Sequence, residues 1–320
     1  MEKLFVITGP TASGKTHLGV LLAQALNGEV VSADSMQIYR GMDIGTAKPS
    51  CEEQAGVPHH MLDVIDPKES YSVSAYVEAA DKCIQDILSR GKLPIVVGGT
   101  GLYIDALIRG GSFPPPEDSP LRERLTLEYE QDGGVSLWAK LQAVDPISAK
   151  ILHPNDKRRV VRALEVFSLS GVPIGMHNKA SKEQKPRYEA LKVALNATDR
   201  ADLYARIDQR VDIMMQEGLE DEFLALLAQG PGAVGTAMQA IGYKELLRAH
   251  QGEITQAQAI DQIKQESRRY AKRQLSWFRR DPNIHWLLWD KAPNYEILVE
   301  MTLKCWNNFR KCAMIGPEEI

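Results

Sequence analysis

Residues 9–16, GPTASGKT, decide how the start of this chain folds. Their spacing, G-x-x-x-x-G-K-T, is that of a phosphate-binding loop, or P-loop. The apolar, strand-like run LFVIT (4–8) precedes the loop, and the helical pattern HLGVLLAQAL (17–26) follows it. Because such a loop works between a strand and a helix, this context favours a true loop over a chance match. We predict that it binds a ligand with at least two phosphates.

The residue types of the loop suit a diphosphate. Gly9 and Gly14 permit a tight turn in which successive backbone N–H groups point at phosphate oxygens, and the following helix adds the positive end of its dipole. Lys15 supplies a full positive charge, and the hydroxyl of Thr16 is placed to bind Mg²⁺, the cofactor that we expect. The predicted diphosphate-binding residues of the loop are Gly9, Pro10, Thr11, Ala12, Ser13, Gly14, Lys15 and Thr16.

The composition is that of an ordinary globular protein. Of 320 residues, 44% are hydrophobic and 25% are charged, and the formal net charge of −4 argues against a surface that binds nucleic acid everywhere. The four cysteines are scattered without a C-x-x-C pair, which argues against a disulfide framework or a zinc knuckle. No secretory segment precedes the first strand, and the apolar runs are far shorter than the ~20 residues of a membrane-spanning helix. We expect a soluble cytoplasmic monomer that makes no contact with a membrane.

The first third of the chain alternates strand and helix patterns. This alternation predicts an α/β fold, a parallel sheet core flanked by helices on both faces. The clearest helical pattern is VSAYVEAADKCIQDILSR (73–90). The predicted strands that follow LFVIT are EVVSA (29–33), MLDVI (61–65), PIVVGG (94–99), ALKVALNA (190–197) and NIHWLLWD (283–290), the last as a possible edge strand before a terminal helix.

A proline-rich stretch interrupts this alternation. GGSFPPPEDSP (110–120) contains three consecutive prolines, which end any helix or strand. The patterns that follow are all helical until the polar linker NKASKEQKPRYE (178–189). We therefore predict a discontinuous P-loop core, residues 1–112 and 188–320, that carries an all-helical insertion domain, residues 113–187.

The reaction is harder to predict than the ligand. An enzyme that transfers a phosphoryl group usually has a second apolar strand that ends in Asp or Glu. PIVVGGTGLY (94–103) ends without a carboxylate. In MLDVI (61–65), Asp63 lies inside the apolar run instead of directly after it. The best-placed acid is Asp34, which follows EVVSA directly and should share a crevice with Lys15 and Thr16. Spacing alone leaves two roles open for it, a catalytic carboxylate or a cap for SMQIYRG.

Two basic clusters supply local positive charge. SRRYAKRQLSWFRR (267–280) contains six cations and no acid, and DKRRVVRALE (156–165) contains a second group beside apolar residues. Such clusters suit a folded RNA that is held through its phosphates. Two alternatives remain open, a solvated helix face for each cluster or, for the insertion, the arginine-rich lid of a kinase.

Taken together, the motifs resemble the bacterial tRNA dimethylallyltransferase family, also called the tRNA isopentenyltransferase or IPP transferase family. The resemblance covers nearly the whole chain, and its blocks occur in order. They are GPTASGKT, VVSADSMQIYRGMDIGTAKP, GVPHHMLD, VVGGTGLY, HPNDKRRVVRALEVF, RVDIMMQEGLEDE, AIGYKE and YAKRQLSWFR.

The resemblance implies a reaction in which no phosphoryl group moves. The dimethylallyl group of dimethylallyl diphosphate passes to N6 of the adenosine 3′ to the anticodon of tRNA (adenosine 37), and pyrophosphate leaves. The resemblance assigns Asp34 as the general base on N6. It implies that Lys15, Thr16 with Mg²⁺, and Arg210 stabilise the leaving diphosphate.

The resemblance also implies contacts with the tRNA anticodon loop. The residues that it places at the RNA are Asp34, Ser35, Met36, Gln37, Thr100, Arg122, Arg158, Arg159, Val160, Val161 and Arg162. From the C-terminal basic cluster we add Lys272 and Arg273. His59 and His60 are adjacent, so on a strand they point to opposite faces and cannot easily share a metal. We interpret both histidines as structural.

Two other functions stay open as rivals. A P-loop kinase of small molecules or nucleosides would turn over ATP with a small acceptor and would be indifferent to tRNA. A nucleotide-regulated RNA-binding module without catalysis would keep its function when Asp34 is replaced.

Overall fold

The chain forms two compact units. The residues that the computed structural model describes are 1–110, 113–114, 119–230 and 237–312. The core unit consists of Met1–Leu107 and Tyr188–Ile320, and the helical unit is Ile108–Arg187. The prolines at 115–116 and the predicted end of the first core segment at residue 112 lie outside the described residues.

A parallel sheet forms the centre of the core unit. Its strands are β1 (Glu2–Thr8), β2 (Gly28–Ser32), β3 (His59–His60), β4 (Leu93–Val97), β5 (Tyr188–Ala197) and β6 (Ile284–Trp289). The strand order is β3-β2-β4-β1-β5-β6, and every pairing between neighbours is parallel. The predicted α/β fold with a parallel sheet is confirmed, and β6 is an edge strand.

Helices make up most of the remaining regular structure of both units. In chain order they are α1 (Lys15–Leu26), α2 (Cys51–Gln54), α3 (Val73–Ser89), α4 (Gly101–Arg109), α5 (Ser119–Asp132), α6 (Val135–Val144), α7 (Pro146–Ala149), α8 (Lys157–Ser170), α9 (Ile174–Glu183), α10 (Arg200–Gln216), α11 (Leu219–Leu227), α12 (Tyr243–His250), α13 (Gln256–Phe278) and α14 (Tyr295–Cys312). No helix in this described set is both long and apolar enough to cross a membrane.

The inner strands β1, β2 and β4 are almost entirely buried, which fits their largely apolar sequences. Phe5 of β1 packs in one cluster with Leu18 of α1 and Trp306 of α14, and the Phe5 and Trp306 rings stack at a centroid distance of 5.1 Å. On another side, the buried Tyr76 of α3 donates a hydrogen bond from its hydroxyl to the Ser32 carbonyl, 3.0 Å away. This packing holds the carboxyl ends of β1, β2 and β4 next to one another at one edge of the sheet. The P-loop begins directly after β1.

The helical unit has a core of its own. Leu137 and Leu141 of α6 and Val160 of α8 are fully buried, and Tyr129 of α5 packs in the same cluster. The apolar residues of α8 recur at helical spacing, so one face of α8 enters this core.

Two predicted elements are wrong. MLDVI (61–65) is not a strand, because Met61 and Asp63 have φ of 65° and 55°, values that extended backbone does not have. The strand in this part of the sheet is the short pair just before it, β3. The first half of the polar linker predicted at 178–189 is helical, since α9 continues to Glu183, and β5 begins at Tyr188. Its polar composition fits a helix with an exposed face.

Candidate active site

The P-loop joins β1 to α1 in the conformation of a phosphate cradle. Gly9 and Gly14 have φ of 136° and 93°, and Ala12 is left-handed with φ of 60°. A Cβ atom on Gly9 would collide with the carbonyl oxygen of Leu195, so only glycine fits there. The buried hydroxyl of Ser13 has no hydrogen-bond partner within the described part of the chain. A bound anion can therefore accept a hydrogen bond from it.

Two cations meet at this cradle. Lys15 begins α1, and its Nζ donates to the carbonyl oxygen of Pro10 at 3.3 Å. The pKa of Lys15 is lowered to about 8, mainly by burial; the Asp34 carboxylate opposes this shift, and the positive charge of Arg210 adds to it. Arg210 reaches the loop from α10 and donates to Thr11 Oγ1 at 3.3 Å. Burial also lowers the pKa of Arg210. Two desolvated positive charges at one place favour the binding of an anion.

Two cavities with shared walls open at this point. The smaller, of about 60 Å³, has Lys15 and Thr16 in its wall. The larger, of about 300 Å³, is lined by the apolar side chains of Met36, Ile207, Val211, Met214, Leu219 and Ile263. Thr11, Asp34 and Arg210 belong to the walls of both cavities. The site thus combines a polar, cationic compartment with an apolar one, and Asp34 stands where they join.

Asp34 caps a turn and lines the cavities at the same time. Its Oδ1 accepts hydrogen bonds from the backbone N–H groups of Met36, at 2.9 Å, and Gln37, at 3.4 Å. The segment after it is a series of turns, not the helix that a cap role predicts. No hydrogen bond to Oδ2 occurs among the residues described. The cap therefore uses one carboxylate oxygen and leaves the other for a ligand.

The structure also places four other residues of the predicted RNA contact close to Asp34; these are Ser35, Met36, Gln37 and Thr100. The backbone N–H of Ser35 donates to Thr100 Oγ1 at 3.1 Å, which links the β2 turn to the end of β4. Met36 lines the larger cavity and Gln37 the smaller. The structure thus brings together residues 34–37, Thr100, the P-loop and Arg210.

Sequence reasoning missed two residues of the cavity walls. Gln274 of α13 accepts a hydrogen bond from the Thr11 N–H and donates to the Gly99 carbonyl, both at 2.9 Å. Tyr270, one helical turn earlier, lines both cavities, and burial raises its pKa to about 12. Their four-residue spacing inside YAKRQLSWFR is the signal that could have indicated a common inward face.

The interpretation of both histidines as structural stays a prediction, and the two side chains lie in different surroundings. His60 pairs with the buried Glu29 at 2.8 Å, a structural contact. His59 lines the smaller cavity; its Nδ1 lies 2.8 Å from the Val57 carbonyl, and its Nε2 is buried without a partner in the described residues. Burial lowers the pKa of His59. The side chains of two adjacent residues diverge on a strand, so one reaches the site and the other does not.

The C-terminal basic cluster is less charged than its sequence suggests. Arg268 pairs with Asp208 of α10, and Arg269 pairs with Glu266 at 2.5 Å. Lys272 and Arg273 are exposed, and neither makes an ion pair within the described residues. Arg273 also lines the larger cavity, so positive charge remains at its mouth.

In the helical unit, several residues predicted to bind RNA have structural contacts. Val160 and Val161 are buried in its core, so their side chains face away from solvent; that these two residues bind RNA stays a prediction. Arg122 and Arg162 each pair with the fully buried Glu165 at 2.7 Å. A buried carboxylate requires such partners. Arg158 and Arg159 are exposed, and Arg159 lies 3.4 Å from Asp156.

Comparison with known proteins identifies the family. The family model described as IPP transferase matches residues 37–281, and that described as isopentenyl transferase matches residues 2–69. The chain belongs to the IPP transferase family. The resemblance inferred from the sequence blocks is therefore confirmed.

Similar proteins match this IPP transferase over most of its length. The tRNA dimethylallyltransferase of Symbiobacterium thermophilum is 50% identical over 285 residues, which are 89% of this chain and 88% of that one. A tRNA isopentenylpyrophosphate transferase from Bacillus halodurans has a solved structure with a TM-score of 0.73 and 41% identity, covering 98% of this chain and 100% of that chain. A structure described as a eukaryotic dimethylallyltransferase acting on tRNA has a TM-score of 0.80 and 29% identity, covering 96% of this chain and 80% of that chain.

Proposed function

We propose that this IPP transferase transfers the dimethylallyl group of dimethylallyl diphosphate to N6 of the adenosine 3′ to the anticodon, adenosine 37, in tRNA. Family membership makes it an enzyme that transfers prenyl groups in tRNA modification. One observation carries the detailed proposal: Asp34 lines both the cationic cavity at the P-loop and the apolar cavity beside it. A carboxylate at that junction stands between a donor and an acceptor.

The donor's diphosphate fits the smaller cavity. Lys15 and Arg210 bring positive charge, and the loop brings backbone N–H groups. These groups stabilise the charge that develops on a departing diphosphate. We propose that all eight loop residues and Arg210 bind it.

The acceptor base fits the larger cavity. N6 of a base stacked in the anticodon loop cannot reach a buried allyl carbon, so the adenosine must leave the stack. A volume of about 300 Å³ with apolar walls, beside Asp34, suits a flipped base and the prenyl group. Residues 34–37, Thr100, Lys272 and Arg273 would contact the RNA around it.

The chemical step then needs one proton transfer. The lone pair of N6 is delocalised into the ring, so the amine is a poor nucleophile unless its proton is removed as the bond forms. N6 bonds to C1 of the donor while the C1–O bond breaks, and Asp34 takes the N6 proton. Pyrophosphate leaves with the electrons of the C1–O bond, held by Lys15 and Arg210.

The donor set at the smaller cavity fits Mg²⁺. The hydroxyl of Thr16 is a hard oxygen donor in the wall of this cavity, and Mg²⁺ usually adds phosphate oxygens and waters to such a donor. We propose Thr16 as its protein ligand. The ion would supply further positive charge beside the diphosphate.

The test is a transfer assay. The folded protein is incubated with radiolabelled dimethylallyl diphosphate, Mg²⁺ and unmodified tRNA, and the RNA is digested to nucleosides. We expect the label on the adenosine next to the anticodon, and none in a tRNA with guanosine at that position. ATP turnover with a small acceptor, and no labelled RNA, would instead establish a kinase and overturn the proposal.

A further inference from the structure

A carboxylate outside the cavity walls holds the chain segment that follows the β2 turn. Glu222, in the first turn of α11, accepts hydrogen bonds from three consecutive backbone N–H groups, those of Asp43, Ile44 and Gly45. The distances are 2.7, 2.8 and 2.9 Å. The Tyr243 hydroxyl donates to the same carboxylate at 2.6 Å. We call this arrangement the Glu222 clamp.

The clamp is tight and tolerates little change. Burial raises the pKa of Tyr243 well above its usual range, so its hydroxyl stays protonated and donates to Glu222. A Cβ atom added to Gly45 would lie 2.6 Å from the Tyr243 ring, so the segment lies directly on that ring. Four donors occupy the acceptor sites of one carboxylate, which fixes the segment in position.

The residues just beyond the clamp orient a side chain of the active site. The amide Nε2 of Gln37 donates to the carbonyls of Thr46, at 3.3 Å, and Ala47, at 3.0 Å. Gln37 Oε1 accepts from Ser32 Oγ at 3.1 Å. Both N–H groups of the amide are thus used by the clamped segment, and its carbonyl oxygen keeps one lone pair beside the smaller cavity.

We propose that Glu222 is a positioning residue for the acceptor side of the active site. It acts through the segment 43–47. Three residues of this segment, Gly45, Thr46 and Ala47, line the larger cavity, which we assign to the acceptor, and its carbonyls set the orientation of the Gln37 amide. The inference rests on the proposed function, in which the larger cavity holds the base and Gln37 contacts the RNA. On the donor side, one residue of the segment, Thr46, lines the smaller cavity, and the Ala47 carbonyl lies 3.5 Å from the Arg210 guanidinium, the limit of a hydrogen bond. The acceptor side therefore depends on the clamp more than the donor side does.

The test replaces Glu222 by glutamine, which keeps its shape but brings an NH₂ group against backbone donors. We expect Glu222→Gln to lower kcat/KM for tRNA by about 10- to 100-fold, since a small displacement of a positioning group has effects of this size. The KM for dimethylallyl diphosphate should change by less than about twofold. The matched control is Glu220→Gln in the same helical turn, whose carboxylate bonds to Gln256 on the surface. It should behave as the wild type does.

A double-mutant cycle separates positioning from a general loss of stability. If Glu222 acts through Gln37, then Glu222→Gln adds little to the defect of Gln37→Ala, and the two effects are not additive. Additive effects, an equal rise in both KM values, or a fully active Glu222→Gln would overturn the inference. If Glu222→Gln fails to fold, the cycle is run with Tyr243→Phe, which removes one bond of the clamp. A wild-type protein that transfers no label would overturn the proposed function instead, before any variant is compared.

Discussion

At the scale of one residue, the two carboxylate oxygens of Asp34 have different roles. Oδ1 holds the turn, and Oδ2, without a partner in the described residues, is the oxygen for the N6 proton. In Asp34→Asn the amide oxygen can still accept the backbone hydrogen bonds, so the turn should persist. We expect tRNA binding to remain within about twofold and transfer to fall by about 10²- to 10⁴-fold, the usual contribution of a general base. Filter binding and single-turnover transfer measure the two quantities.

The control for this variant is Asp261→Asn on the exposed side of α13. It changes the net charge equally and should keep full activity. If Asp34→Asn loses tRNA binding to the same extent as it loses transfer, Asp34 is a positioning residue and not the base.

Lys15 gives the site a pH dependence whose sign follows from its burial. Its pKa is lowered to about 8, so in the free enzyme the ammonium is charged below that pH and neutral above it. An uncharged amine attracts a diphosphate less. We expect kcat/KM for dimethylallyl diphosphate to fall as the pH rises through about 8, because this parameter reports the groups of the free enzyme. Initial rates at low donor concentration between pH 6.5 and 9.5, a range set by that value of about 8, measure the effect.

Lys15→Arg serves as the comparison, since a guanidinium stays charged over this range. Its activity is expected to be lower but to show no decline with this midpoint. The same decline in Lys15→Arg would assign the titration to another group.

At the scale of elements, α13 holds the P-loop against the end of β4 through Gln274. This side chain is 5% exposed and bonds to the Thr11 N–H and the Gly99 carbonyl. Gln274→Ala leaves a buried donor and a buried acceptor without partners. We expect it to destabilise the protein by about 2 kcal/mol, to lower Tm by several degrees and to raise the KM for the donor, because Thr11 belongs to the cradle. Thermal melts and donor kinetics check these outcomes.

Ser276→Ala on the same helix is the matched control. Its exposed hydroxyl bonds only to the Lys272 carbonyl of its own helix within the described structure, so its loss should change Tm by less than about one degree. A stable Gln274→Ala with an unchanged donor KM would show that α13 does not support the loop.

These elements also explain how far the sequence could predict the site. The P-loop and the β2 turn are local, so spacing alone placed Lys15 and Asp34 in one crevice. Gln274 bonds to Thr11 across 263 residues of sequence, and no periodicity carries information about that pairing. Glu222 is one of three acids in the first turn of α11, and only the packing of α11 on the segment 43–45 distinguishes it. Local chemistry was predictable, and contacts between distant elements were not.

The same reason accounts for the failed prediction of a strand at residues 61–65. MLDVI has the composition of a strand, but Asp63 pairs with Lys48 at 2.5 Å in a left-handed backbone, a tertiary contact that overrides propensity. Val160 and Val161 stand beside arginines in sequence but on the buried face of α8 in space. Helical periodicity alone predicts that the two valines and the neighbouring arginines lie on different faces of α8. The resemblance instead assigned the whole segment 158–162 to the RNA.

At the scale of the whole molecule, a chain of net charge −4 must bind a polyanion through a few local cations. Asp208 and Glu266 already pair with Arg268 and Arg269, whereas Lys272 and Arg273 make no ion pair in the described structure. For RNA, each neutralised phosphate contributes about −0.7 to the slope of log K against log salt. We expect the double variant Lys272→Ala/Arg273→Ala to weaken tRNA binding and to reduce the magnitude of this slope by about 1.4.

The comparison is Lys82→Ala/Lys304→Ala, which removes the same net charge from cations that are paired with Glu78 and Glu300. If total charge governed binding, the two double variants would behave alike. We expect the control to keep the wild-type slope, because its cations lie on α3 and α14 and not beside the larger cavity, whereas Arg273 lines that cavity. Titrations with tRNA at several salt concentrations measure the slope of log K against log salt for both double variants. Wild-type slopes for both variants would mean that the RNA is held by other cations of the chain.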